Sequence, residues 1–77
     1  MNLEIQILTA RAALPRAERG TSVAFITGYL AGRTLNLRGG VQGVFHSVNA
    51  TAHGLVVSVT TVSGQAATGL LAEAEVA

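Results

Sequence analysis

The run Leu55–Val62 reads Leu-Val-Val-Ser-Val-Thr-Thr-Val and is crowded with β-branched side chains. Such residues lose χ1 freedom in a helix and pack well on a pleated surface, so the run predicts a strand. Turn chemistry follows at Ser63-Gly64-Gln65. Upstream, Gly39-Gly40 marks a hairpin between strands expected over Arg33–Arg38 and Val41–Ser47. Seventy-seven residues punctuated in this way have room for one domain of short antiparallel strands.

The remaining segments fit that frame. Asn2–Thr9 alternates, with Leu3, Ile5 and Ile7 opposed to Asn2, Glu4 and Gln6, the period of a half-buried strand. Ser22–Leu30 is rich in β-branched and aromatic residues and predicts another strand. Val23, Phe25, Thr27 and Tyr29 share one face, and Ala24, Ile26 and Leu30 the other. Between them, Ala10–Gly20 carries Pro15, which argues against a long helix and for a loop, a hairpin arm or a single helical turn. Val48–Gly54 is small and polar and reads as a loop. Ala67–Val76 alternates like a strand, although Ala, Leu and Glu also form helices well. The expectation is an all-β chain, a single domain over residues 1–77 with five or six antiparallel strands in a small barrel or sandwich.

Composition narrows what such a domain can do. There is no Cys, so neither a disulfide nor a thiolate metal site can staple it. Charged residues make up 12% of the chain and apolar ones 49%, too little charge to cover a monomer of this size. A homodimer is expected, with its seam near Leu55–Val62. The amino terminus lacks a basic n-region and no long apolar run follows, so neither a signal peptide nor a membrane span is expected. With no Asp and no Cys, nucleophile–base sets are limited to Ser, Glu, His46 and His53. The two histidines stand seven apart, which matches no common metal spacing. Glu73 and Glu75 share one face of a strand and read as a solvated edge. No enzyme activity, cofactor or metal is expected.

The arginines are the best functional candidates. Arg11, Arg16, Arg19, Arg33 and Arg38 are all the basic side chains besides histidine, and only Glu18 interrupts them. The segment Arg11–Arg38 thus carries +4, while Glu4, Glu73 and Glu75 give the rest −3. Guanidinium binds phosphate bidentately and stacks on bases. The same all-Arg usage also fits a bias of composition. Phe25 and Tyr29 either form an exposed stacking platform beside Arg33 or face the core with Val23.

The opening Met-Asn-Leu-Glu-Ile, the Arg-bearing arm, Ala-Phe-Ile-Thr-Gly-Tyr-Leu at 24–30 and Gly-Leu-Val-Val at 54–57 resemble the single-stranded DNA-binding proteins of filamentous phages, the gene V type. The resemblance implies an OB-like five-stranded barrel with a projecting basic loop or hairpin, a two-fold homodimer, and cooperative coating of single-stranded DNA. It further implies that Arg16 and Arg19 sit in the projecting arm, that Tyr29 and Phe25 stack bases, and that Arg33 and Arg38 hold phosphates. The site set is then Arg11, Arg16, Arg19, Phe25, Tyr29, Arg33 and Arg38. The partner is single-stranded DNA or RNA without sequence preference, in the cytoplasm of a bacterial host or in a virion. The family is richer in Lys and aromatics than this chain, which shifts the expected binding toward charge. The other reading of the same residues is a structural assembly module, such as a phage virion or decoration subunit.

Overall fold

The computed structural model describes residues 2–77. Two helices lead, α1 (Leu3–Ala12) and α2 (Ser22–Leu30), joined by a connector with a 3-10 turn at Arg16–Glu18. Five strands follow: β1 (Thr34–Asn36), β2 (Gln42–Thr51), β3 (Gly54–Thr61), β4 (Ala66–Leu70) and β5 (Glu75–Val76). They form one antiparallel sheet in the order β4-β3-β2-β1-β5. The all-β expectation is therefore corrected to a five-stranded antiparallel sheet plus two helices.

Both expected amino-terminal strands are helices. The Asn2 side-chain oxygen accepts from the N–H groups of Glu4 (2.8 Å) and Ile5 (3.3 Å), an N-cap that starts α1. Glu4 in the first turn and Arg11 in the last complement the helix dipole. Leu3 and Ile7 satisfy the helical i,i+4 spacing and are buried, whereas Ile5 turns outward and is 57% exposed. The Thr21 hydroxyl accepts from Ala24 N–H and caps α2 in the same way. Apart from Ala24 and Leu30 the residues of α2 are poor helix formers, so burial of Ile26 and Leu30, again four apart, holds it in place.

The carboxy-terminal part follows expectation more closely. The Gly39-Gly40 hairpin is present, with φ of +88° and +82°, closed by Leu37 N–H donating to Val41 O at 2.7 Å. β3 occupies most of the expected run, and a turn at Ser63–Gln65 leads into β4. The expected loop after Ser47 is instead strand, since β2 continues to Thr51. His46 is an extra residue there: Phe45 pairs with Val59 and Ser47 with Ser58. Gly43 packs so tightly that a Cβ would lie 2.6 Å from Thr60 O. The expected tail strand is broken, because Leu71–Glu73 forms a 3-10 turn that buries Leu71 before β5 begins.

The sheet curls without closing into the expected barrel. Flat, its two edges would stand about 19 Å apart at ~4.8 Å per strand, more than the short stretch from Leu70 to Glu75 covers with a 3-10 turn inside it. Curling is also visible directly: a Cβ on Gly69 of β4 would lie 3.6 Å from the Leu37 side chain, which follows β1. The concave face holds Leu35, Leu37, Phe45, Val48, Val57 and Val59, and Leu3, Ile7, Ile26, Leu30, Leu71 and Ala74 complete the core. Val57 and Val59 belong to this core, so they cannot form the intersubunit seam expected of Leu55–Val62. No helix among the described residues is long and apolar enough to cross a membrane.

Candidate nucleic-acid interface

Folding Leu3–Leu30 as a helical hairpin splits the arginine segment. The Gln6 amide donates to the Tyr29 hydroxyl at 3.2 Å, so the start of α1 lies beside the end of α2. Arg11, Arg16 and Arg19 fall at the opposite end, around the connector. Arg33 lies past the far end of α2, whose nine residues span about 13 Å. Arg38 stands apart in the β1–β2 hairpin.

At the connector, arginines satisfy carbonyls that a helix end leaves unpaired. Arg19 donates from Nε to Leu14 O and from Nη2 to Ala12 O, both at 3.0 Å, which fastens the chain beyond α1. Arg11 donates from Nη2 to Gly20 O at 2.6 Å, across the base of the loop. Its Nε is buried with no partner among the described residues. Arg16 is exposed on the 3-10 turn, where its carbonyl accepts from Arg19 N–H, and its side chain makes no hydrogen bond or ion pair among the described residues. The expected projecting arm is thus a short connector tied down at both flanks, with Arg16 at its exposed turn.

Phe25 and Tyr29 are four apart on α2, half-buried against the core, with ring centroids 6.3 Å apart. The Arg33 guanidinium lies 5.9 Å from the Tyr29 ring centroid, and its Nε donates to Tyr29 O at 3.3 Å. Leu3, Gln6, Tyr29, Arg33, Glu75 and Val76 line an open groove of about 530 Å³. Arg33 and Glu75 are the charged residues of that lining. Sequence reading missed Gln6 and Glu75 at this place because the groove exists only once α1 is a helix and β5 pairs with β1. Arg38 pairs with Glu73 at 3.2 Å, an exposed contact that contributes about 0–1 kcal/mol.

The histidines do not converge. His46 sits on the β2 bulge with Nδ1 3.2 Å from Ser47 Oγ, and His53 sits in the β2–β3 turn. Comparison with known protein families, curated proteins and solved structures finds no match to this chain.

Proposed function

We propose that the chain binds single-stranded nucleic acid, without sequence preference, through phosphate contacts at the α1–α2 connector. The observation that carries this reading is Arg16, exposed and unpartnered among the described residues, flanked by Arg11 and Arg19 that backbone carbonyls hold in place. A guanidinium has five N–H donors. Arg19 uses Nε and one Nη2 donor inward, so the rest of its fork remains for an anion. Holding these side chains before binding lowers the entropy lost when a phosphate arrives. Glu18 is the single acid on the connector.

Arg33 offers a further cation beyond the other end of α2, within reach of a strand laid along that helix. Stacking contributes little, because Phe25 and Tyr29 are half-buried and Arg33 already occupies the side of Tyr29. Electrostatic binding of this kind needs neither a barrel nor base-reading side chains. Titration of the chain into fluorescent oligo-dT at about 20 mM salt, where screening is weak, should show saturable binding, and its absence would remove this reading.

A second reading, an assembly module, is favoured by the convex face of the sheet. From Thr34 across Val44, Ser47, Ser58, Thr60, Ala66 and Thr68 it carries no charge, Glu75 opposite Asn36 being confined to its β5 edge, and Val44 is 47% exposed. Such a face suits contact with other subunits.

A further inference from the structure

The two edges of the sheet differ in kind. β5 is two residues long and carries Glu75, with Glu73 just before it. Shortness and charge are how natural sheets blunt an edge against pairing with another chain. β4 has neither protection: Ala-Ala-Thr-Gly-Leu has no charge, no Pro and no bulge in its register with β3.

Its open hydrogen-bonding groups can be assigned. Thr61 N–H donates to Gln65 O at 2.8 Å, which sets the phase of the ladder. Bonded and non-bonded pairs alternate in an antiparallel sheet. Val59–Ala67 and Val57–Gly69 are therefore bonded pairs, and Thr60–Ala66, Ser58–Thr68 and Val56–Leu70 are not. The N–H and C=O groups of Ala66, Thr68 and Leu70 point away from β3, and no other strand among the described residues pairs with them.

We propose that two copies of the chain pair through β4, antiparallel about a two-fold axis at Thr68, to form one continuous sheet. This inference rests on the assembly reading and not on nucleic-acid binding. In that register Thr68 faces the partner's Thr68, and Ala66 faces the partner's Leu70. Every outward N–H and C=O of these residues then gains a partner. A one-residue slip would present Ala67 and Gly69, whose groups already bond β3, and a two-residue slip would strand an outward pair. The seam is thus self-complementary, as a two-fold contact between identical chains requires. On the convex side it sets hydroxyl against hydroxyl and methyl against isobutyl, with no like charges opposed.

The test combines sedimentation with residue-resolved amide exchange, across protein concentration, on the full chain and on Thr68→Pro and Thr68→Lys. Proline there removes an outward N–H but no bond to β3, a position edge strands tolerate. Lysine sets two ammonium groups against each other across the axis, and the Thr68 side chain is exposed, so the core is untouched. The expected result is a mass that doubles with concentration while the amides of Ala66, Thr68 and Leu70 slow by about tenfold or more. Both variants should keep monomer mass, with fast amides at Ala66 and Leu70 and, in Thr68→Lys, at position 68 as well. If Thr68→Pro loses its folded circular dichroism, Thr68→Lys decides alone. A dimer in which those amides stay as fast as in the monomer overturns the β4 seam and leaves self-assembly standing. A chain that stays monomeric up to about 1 mM overturns both.

Discussion

Phe45 and Val48 point into the same core although they are three residues apart in one strand, because His46 is an extra residue between the Phe45–Val59 and Ser47–Ser58 pairs. A regular strand would send them to opposite faces. The bulge re-phases β2, so that Val48 meets Val57 inside and Asn49 meets Val56 outside.

Deleting His46 should therefore be far worse than truncating it. His46→Ala removes an exposed side chain and should change unfolding free energy by less than about 0.5 kcal/mol. Deletion restores strict alternation and drives Val48 outward or slips the strand. Loss of that burial alone costs about 2 kcal/mol. Urea unfolding of the two variants separates them, and equal stability would mean that the bulge does not set the register.

Gly43→Ala should destabilise by about 1–3 kcal/mol, the range for overpacking. Its Cβ would meet Thr60 O at 2.6 Å and Val59 Cγ2 at 2.9 Å, and backbone cannot yield as a flexible side chain does. A variant within about 0.5 kcal/mol of the parent in urea unfolding would contradict this packing.

Asn2→Ala should cost about 1 kcal/mol, within the usual range for losing an N-cap. It should weaken the helical chemical shifts of Leu3–Ile5 first. If Leu3–Ala12 were the strand that its alternation suggests, the substitution would act on neither helical shifts nor stability.

The legible and illegible parts of the chain divide on physical grounds. The hairpins at Gly39-Gly40 and Ser63–Gln65 could be read because positive φ and turn residues are local. The β3 run could be read because its composition suits a sheet whatever packs on it. Leu3, Ile5 and Ile7 could not decide between periods, since two of them also fit an i,i+4 face and Ile5 tolerates exposure. The deciding signals were Asn2 and Thr21 as caps, which the alternation masked. For α2, tertiary burial overrode the β preference of Val23, Phe25, Ile26, Thr27 and Tyr29. The arginines were visible as candidates, but their division could not be read. Whether Arg19 faces an anion or a carbonyl depends on where α1 ends, and that depends on the fold.

Arg19→Ala should lose two hydrogen bonds to α1-end carbonyls, about 1–2 kcal/mol in all. Arg19→Lys keeps the charge but lacks the planar fork that reaches Leu14 O and Ala12 O together. It should therefore recover oligonucleotide binding better than stability. Unfolding and binding measured on both variants test this, and a lysine variant as stable as the parent would show that the fork is not what holds the connector.

Salt dependence of oligo-dT binding, measured on the parent and on Arg16→Gln between about 20 and 200 mM salt, tests phosphate contact at the connector most directly. Two or three neutralised phosphates give a slope of log K against log salt of about −1.4 to −2.1, at about −0.7 per contact on a single strand. Arg16→Gln leaves the core and the connector hydrogen bonds in place, so it should stay folded while its slope becomes shallower by about 0.7. A parent slope near zero, or an Arg16→Gln slope equal to the parent's, would contradict the assignment of Arg16 to a phosphate.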